Sequence, residues 1–298
     1  MAYLVSDLVD VAKYPIDQDP ASPAYVALVK ECQRQLSAVG SVDLEGFIRP
    51  GLIHAMTAEV DTLDSFHRLN FASPLLSKRG DIEKEYGPGH PALRQFAQDT
   101  NAVPGVEILR STMLRQLYDS PLLTQFLRIV LNRQEMYTLA DEYQCINMMY
   151  MNDGAARAWH YDGTDCVITL MLQPSLEGGE IEWAPFIRGE TPGDERVEDV
   201  AQLFDGKWKN VHTKSAAAGT LNLFNGARSM HRVRSTYGGR TRVLAVLSYD
   251  DIPNRHFNAQ KNVSLYGERV RDYVSERGMK DVFLDDRAIA DSKAAAKL

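Results

Sequence analysis

The sequence predicts an α+β protein in which a β-sandwich or jelly roll is wrapped by helices. Apolar residues recur at helical spacing in the first half of the chain, and short β-branched runs crowd the second half. No internal repeat interrupts this order. The chain has 298 residues, of which 44% are hydrophobic, so it can bury a large core, and we predict a single domain over residues 1–298.

The charge and the cysteine content of the chain argue against nucleic-acid binding and against a disulfide-stabilised protein. The net charge of −7, with acidic and basic residues interspersed, argues against non-specific binding of nucleic acid. Three cysteines without a CxxC pair predict no disulfide framework and fit a reducing cytosol. The chain shows neither a secretory signal nor a long apolar run, so we expect a cytoplasmic protein that does not enter a membrane. A homodimer is left open.

Residues 1–135 are predicted to form mainly a helical cover with substrate loops. Ser22 as N-cap, Pro23 in the first turn and Gly40 after the last turn delimit the clearest helix. The predicted helices are 24–39, one that begins at Pro50, 92–98, 109–117 and 122–130, with a short strand at 42–48. The stretch 70–108, rich in glycine, proline and charge, is either a surface excursion or a substrate loop.

Residues 136–250 are predicted to form the jelly-roll core. The predicted strands are 143–150, 165–173, 180–183, 220–224 and 241–249. Two glycine pairs, Gly178-Gly179 and Gly238-Gly239, are predicted to turn hairpins. Residues 188–215 are expected to be an exposed insertion with room for one helix. Residues 251–298 should supply a closing helix at 263–276 and a frayed tail.

The stretch Trp159-His160-Tyr161-Asp162 places an imidazole and a carboxylate two residues apart, and His231 follows 71 residues later. At a strand end, residues i and i+2 share one face, so both side chains can reach one ion. Two His and one Asp form the facial triad that holds non-haem Fe(II) and leaves positions open. Each His alone is more often a structural residue than a ligand, and the prediction depends on the combination.

Arg242 strengthens this interpretation. It heads the alternation Arg242, Leu244, Val246, Ser248, which gives one strand face that is apolar except for the guanidinium. A buried arginine needs an anion, and its planar fork suits a carboxylate such as the distal one of 2-oxoglutarate. Arg240 competes for this role, but its place at a turn predicts a solvent-facing side chain.

These residues resemble the iron(II)/2-oxoglutarate oxygenases, in particular the branch that contains the radical halogenases of free lysine and similar amino acids together with their hydroxylase relatives. The likeness is carried by residues 158–165, 172–173, 177–182, Pro185, 219–221 and 231–233, and it extends to 14–16 and 43–50. It covers most of the chain, is specific from about 145 to 250 and is diffuse between 65 and 120.

The resemblance implies a double-stranded β-helix (jelly-roll, cupin-like) core wrapped by N-terminal and C-terminal helices in a single catalytic domain. It implies Fe(II), 2-oxoglutarate and O2, with succinate and CO2 as co-products. The iron ligands then correspond to His160, Asp162 and His231. Arg242, Asn147 and Thr169 become the candidates for 2-oxoglutarate. The substrate candidates are Arg157, Trp159, Thr164, Asp165 and Ser248. Arg157 either meets a carboxylate or phosphate of the substrate or is a surface residue at a turn.

One residue separates the activities within that branch. The halogenases have a small residue where the carboxylate ligand stands, whereas this chain has Asp162. We therefore expect hydroxylation of an unactivated C–H bond of a free amino acid or similar small molecule, with desaturation or ring formation as the alternative. Outside the oxygenases, the rival interpretations are a zinc or manganese hydrolase with the same triad and a jelly-roll binding protein without catalytic activity.

Overall fold

The computed structural model describes residues 2–61, 63, 66–72, 87, 89–164, 166–191, 193–257 and 259–271. Over these residues the α-helices are Val5–Leu8 (α1), Pro23–Val39 (α2), Pro50–Ala58 (α3), Met113–Tyr118 (α4), Pro121–Val130 (α5), Val197–Phe204 (α6) and Ala259–Tyr266 (α7), and two 3-10 helices lie at Pro91–Leu93 and Gly105–Glu107. The strands are Ser41–Leu44 (β1), Phe66–Ala72 (β2), Phe96–Pro104 (β3), Tyr137–Thr138 (β4), Ile146–Met151 (β5), Arg157–His160 (β6), Val167–Gln173 (β7), Glu177–Gly178 (β8), Ile181–Ala184 (β9), His212–Lys214 (β10), Leu221–Phe224 (β11), Met230–Val233 (β12), Thr236–Tyr237 (β13), Arg242–Leu247 (β14) and Tyr249–Asp250 (β15).

Helix α2 begins and ends where the sequence predicts. The Ser22 side chain accepts a hydrogen bond from the backbone N–H of Tyr25, and Pro23 occupies the first turn. Gly40 closes the helix in the left-handed conformation, with φ of 72°. The apolar stripe that begins at Tyr25 and continues through Val29 and Cys32 is buried. This stripe joins the main hydrophobic cluster, in which the ring of Tyr25 meets that of Phe126 in α5.

Two antiparallel sheets form the framework. The seven-stranded major sheet has the order β1-β11-β7-β14-β5-β3-β2, and the four-stranded minor sheet has the order β10-β9-β12-β6. Successive strands pass from one sheet to the other at β5, β6 and β7 and again at β11, β12 and β14. This alternation is the jelly-roll, double-stranded β-helix arrangement, so the predicted fold class is confirmed.

The major sheet is covered on both faces. Its outer residues pack with the N-terminal helices into the main hydrophobic cluster, which includes Met148, Leu170 and Ala245. The alternate residues point inward, and Phe224 of β11 reaches the minor sheet, where its ring lies 4.8 Å from that of His231. The helices therefore hold the outer face rigid while the inner face lines the space between the sheets.

Both predicted glycine hairpins are wrong. Strands β7 and β9 lie in different sheets, and so do β12 and β14. The two short strands β8 and β13 pair with each other instead, with Gly178 opposite Thr236. Gly178 and Gly179 both have positive φ, 67° and 72°, and carry the chain from one sheet to the next. Glycine pairs permit sharp turns, but a turn does not determine whether the strands on either side of it pair with each other.

Two further segments differ from their predictions. Residues 96–98 belong to the long strand β3, not to a helix at 92–98, because they pair with residues 70–72 of β2. Residues 188–215 are not an exposed insertion. Helix α6 buries Val200, Leu203 and Phe204 against Trp159 and Tyr161, and β10 pairs with β9. The segment is therefore part of the structure behind the minor sheet.

The closing helix α7 begins earlier than predicted and is followed by Gly267, whose φ is 81°. It is anchored by Asp141, whose carboxylate accepts hydrogen bonds from the Phe257 backbone and the Asn262 side chain. Of the predicted 263–276 helix, the part beyond Arg271, and the tail after it, lie outside the described residues. Among the helices that the structure describes, none has the length and apolar character to span a membrane.

The covered outer face gives a stability prediction. We expect Leu170→Ala to lower the free energy of unfolding by about 2–5 kcal/mol, because Leu170 is fully buried in β7 and its loss leaves a cavity. Leu176→Ala, six residues later, is the matched control, since Leu176 is 59% exposed, and its effect should stay within about 0.5 kcal/mol. Urea unfolding followed by circular dichroism measures both, and equal losses would contradict this account of the core.

Candidate metal centre

The pairing of β6 with β12 brings the three predicted ligands together. His231 lies directly opposite His160, although 71 residues separate them in the chain. The Nε2 atom of His160 lies 3.7 Å from Asp162 Oδ1, and that of His231 lies 3.4 Å from Asp162 Oδ2. One ligand atom from each residue falls within 4.8 Å of the other two, a spacing that suits a single ion. Two imidazoles and a carboxylate are the donor set of a facial triad.

Backbone carbonyls orient both imidazoles. His160 Nδ1 lies 2.8 Å from the carbonyl oxygen of Ala158, and His231 Nδ1 lies 3.0 Å from that of Ser229. A carbonyl only accepts hydrogen bonds, so each Nδ1 carries the proton and donates it. The Nε2 of each ring is then the nitrogen that faces Asp162 and that can bind a metal. Such outer contacts fix the tautomer and the ring orientation of metal-binding histidines.

The protonation states match a metal site. Burial, together with His231 and Arg157, lowers the pKa of His160 well below its usual value, so this imidazole is neutral. Burial opposes ionisation of Asp162, but its contacts with His231 and His160 outweigh that effect and hold its pKa at about 2. At neutral pH the centre therefore presents the Asp162 carboxylate beside a neutral His160 imidazole, as metal binding requires.

Arg242 is buried as predicted, with 6% of its surface exposed. Within the described part of the chain its only polar contact is from Nη1 to the sulfur of Met151, at 3.8 Å, and no carboxylate pairs with it. Burial lowers the pKa of Arg242 to about 10, so the guanidinium remains cationic at neutral pH. A buried cation without an anionic partner is costly, and the side chain therefore marks a site for an anionic group. Arg240 is exposed, as expected, and donates to the carbonyl of Pro174.

Asn147 and Thr169 lie on the inner face of the major sheet, on the two strands that flank β14. Both are register partners of Val246, one on each side of β14. Arg242 stands at one end of this strand, opposite Met151. At the other end of the sheet, Val167 pairs with Phe224, the residue whose ring contacts His231. The amide nitrogen of Asn147 donates to the backbone and side-chain oxygens of Gln144, both at 3.3 Å.

Arg157 reaches the triad because strand β6 contains a bulge. His160 pairs with His231 and Arg157 with Val233, so three steps along β6 match two along β12. In a regular strand, residues 157 and 160 would point to opposite faces, and the extra residue brings them to the same place. The Arg157 Nε–H donates to His160 Nε2 at 3.2 Å. The guanidinium therefore lies beside the metal-facing nitrogen.

The structure does not bring every predicted substrate residue to the triad. Trp159 lies on the opposite face of β6, where it packs against Phe204 and beneath Arg232, because neighbouring residues of a strand alternate between its faces. The Thr164 hydroxyl donates to the carbonyl of Cys166 in the loop after Asp162. Ser248 directly follows β14, and its backbone N–H donates to Cys145. Asp165 lies outside the described residues.

Sequence reasoning missed the aromatic support behind His231. The rings of Phe224 and His231 meet edge to face at 4.8 Å, and Trp183 packs against Phe224 at 6.1 Å. The Trp183 indole N–H donates to the carbonyl of Val39, at the end of α2. Apolar residues at these strand positions predict only burial, so no sequence signal distinguishes them from ordinary core residues.

The sequence model of a family described as Halogenase D matches residues 94–264, more than half of the chain. Among solved structures, HygX from Streptomyces hygroscopicus with nickel and 2-oxoglutarate bound is 14% identical, with a TM-score of 0.52 over 75% of this chain and 87% of that one. The epimerase SnoN in complex with Fe3+, alpha ketoglutarate and nogalamycin RO is also 14% identical, with a TM-score of 0.52 over 76% and 84% of the two chains.

At such identities the structural matches establish the fold alone. They share the double-stranded β-helix of the iron(II)/2-oxoglutarate oxygenases, so the predicted resemblance to that class is confirmed. The curated protein sequences contain no match to this chain. The assignment to the lysine-type branch stays a prediction. Because the family match spans more than half of its length, the chain belongs to the Halogenase D family and has the fold of the iron(II)/2-oxoglutarate oxygenases.

Proposed function

We propose that the protein is an Fe(II)- and 2-oxoglutarate-dependent oxygenase that oxidises an unactivated C–H bond of a free amino acid or similar small molecule. Hydroxylation is the favoured outcome, with succinate and CO2 as co-products. The observation that carries this proposal is the presence, between the same two sheets, of a His-Asp-His triad and of Arg242, a buried cation that has no anionic partner among the described residues. In the triad His231 is buried, and His160 and Asp162 are half-buried. A metal and a dianionic co-substrate satisfy both at once.

Each proposed role follows from a side chain already described. His160, Asp162 and His231 would hold the iron, and Arg242 would pair with the distal carboxylate of 2-oxoglutarate. Asn147 and Thr169 flank the path between them. Iron with 2-oxoglutarate would supply the oxygen-activating chemistry, while the side chains of the protein would hold and orient both.

Asp162 favours oxygenation over halogenation, even though the matching family is described as Halogenase D. Its two carboxylate oxygens face the Nε2 atoms of the two histidines, so the third ligand position is already filled by the chain. Desaturation and ring formation would use the same residues. The neighbour SnoN is described as an epimerase, so this fold is also compatible with other outcomes. Product analysis by mass spectrometry separates them by the mass gained or lost.

Rival functions account for less of the structure. A zinc or manganese hydrolase would use the triad but would leave Arg242 buried without an anion. A binding protein without catalytic activity would explain neither the oriented imidazoles nor the ionised carboxylate. We therefore favour the oxygenase.

Anaerobic titration tests the proposal directly. We expect Fe(II) and 2-oxoglutarate together to produce the weak visible charge-transfer band of the chelate, and each alone to produce none. Admission of O2 should then convert 2-oxoglutarate to succinate. If the band is absent and no succinate forms, the proposed function is wrong.

Arg242→Ala should weaken 2-oxoglutarate binding by about 10- to 100-fold, because charge-assisted hydrogen bonds to a carboxylate are lost. Iron affinity should stay within about twofold, since Arg242 is not in the ligand set. Arg240→Ala is the matched control, because that guanidinium is exposed and bonds to backbone carbonyls. Isothermal titration with each component gives both affinities. An equal loss of iron affinity in Arg242→Ala would contradict the role assigned to this residue.

Arg157 supports an anionic substrate. Its guanidinium lies beside His160 Nε2, the nitrogen that would bind the metal, so a positive charge stands where a substrate carboxylate would approach the metal. An amino acid carries such a group. Screening amino acids against their amides for stimulated succinate formation should therefore favour the free acids.

Arg157→Ala should raise the KM for the best of these substrates by about 10- to 100-fold and leave metal affinity within about twofold. Arg234→Ala provides the control, because Arg234 is exposed and pairs with Glu182. Equal preference for acids and amides, or an unchanged KM, would remove Arg157 from the substrate site.

A further inference from the structure

Gly226 lies directly against the carboxylate of Asp162. The Asp162 backbone N–H donates to the Gly226 carbonyl at 3.0 Å, which holds the two residues side by side. A Cβ atom built on Gly226 would lie 1.6 Å from Asp162 Oδ2, 2.5 Å from its Cγ and 3.0 Å from its Cβ. The three nearest atoms thus all belong to Asp162. A side chain at position 226 and the present position of the carboxylate exclude each other.

The backbone of Gly226 does not itself call for glycine. Gly226 is not among the glycines with positive φ, unlike Gly178 and Gly179, so an L-amino acid can adopt its conformation. The absence of a side chain at position 226 therefore leaves room for the Asp162 carboxylate. Sequence alone offers no sign of this, because a glycine after a strand is usually explained by a turn.

The loop that carries Gly226 is held in place on both sides. The Asn225 N–H donates to the Gly40 carbonyl at 2.8 Å, and the Ser229 N–H donates to the Asn225 carbonyl at 3.1 Å. The Arg188 guanidinium donates to the Ala227 carbonyl at 2.9 Å. The Asp162 carboxylate, in contrast, is the end of a rotatable side chain. A clash at Gly226 would therefore be relieved by movement of the carboxylate and not of the loop.

We propose that Gly226 is a positioning residue of the metal centre, whose missing side chain forms the niche that keeps the Asp162 carboxylate facing His160 and His231. This inference rests on the proposed function, since it concerns the third ligand of the proposed iron site. A methyl group at position 226 turns the carboxylate out of the niche and leaves two imidazoles to hold the ion. The protein still folds, but its donor set is incomplete.

A double-mutant cycle tests this inference by metal affinity, independently of turnover. We expect Gly226→Ala to lower Co(II) affinity by about 10- to 100-fold, the loss typical when an outer contact of a metal ligand is removed. In the Asp162→Ala background the carboxylate is absent, so Gly226→Ala should change the affinity by less than about twofold. Co(II) is titrated anaerobically and followed by its ligand-field absorbance. Gly51→Ala is the matched control, because a Cβ on Gly51 meets no atom within 4 Å.

Each outcome of the cycle decides between explanations. Unchanged affinity in Gly226→Ala overturns the inference, and so does an equal further loss in the Asp162→Ala background, since the loop itself would then be the cause. If Gly226→Ala fails to fold alone but folds when combined with Asp162→Ala, the clash is confirmed; failure to fold in both backgrounds overturns it. Wild-type protein that does not bind Co(II), or that binds it equally well after Asp162→Ala, refutes the proposed metal site, and this inference with it.

Discussion

The pairing of β6 with β12 is the constraint on which the candidate site depends. It places His160 opposite His231, and in each strand the carbonyl two residues before the histidine accepts the Nδ1 proton. Strand geometry thus sets both the separation of the imidazoles and their tautomer. Asp162 completes the set because it leaves the end of β6 while its N–H remains bonded to Gly226.

The major sheet contributes the second half of the site. Its outer face is packed against helices, which leaves the inner face as a rigid wall. Arg242 projects from that inner face into a buried environment, which lowers its pKa because a charge is less stable away from water. The charges of the proposed iron, the Asp162 carboxylate, the Arg242 guanidinium and a doubly anionic co-substrate cancel. The Arg242 guanidinium and the His-Asp-His triad therefore both suit charged ligands, and the proposed iron together with 2-oxoglutarate would balance the charges of both.

Local signals in the sequence were reliable where a local cause dominates. The Ser22 cap, Pro23 and Gly40 define α2 through contacts within a few residues, and α5 follows from its apolar stripe. Pairing partners were not predictable in this way. The pairs Gly178-Gly179 and Gly238-Gly239 were expected to close hairpins, whereas each connects strands of different sheets. Segment 188–215 was judged exposed from its charge, although one face of α6 is apolar and buried.

The sequence by itself determined the chemistry of the site: an imidazole and a carboxylate at i and i+2, a distant imidazole, and an arginine on an otherwise apolar strand face. These are properties of residue type and strand period, which a linear pattern records. Only the tertiary structure decided which neighbours share the site. The bulge in β6 brings Arg157 to His160, strand alternation takes Trp159 away, and the backbone of Gly226 provides the space for Asp162. Those outcomes depend on register and close approach between segments far apart in the chain, and residue spacing does not encode them.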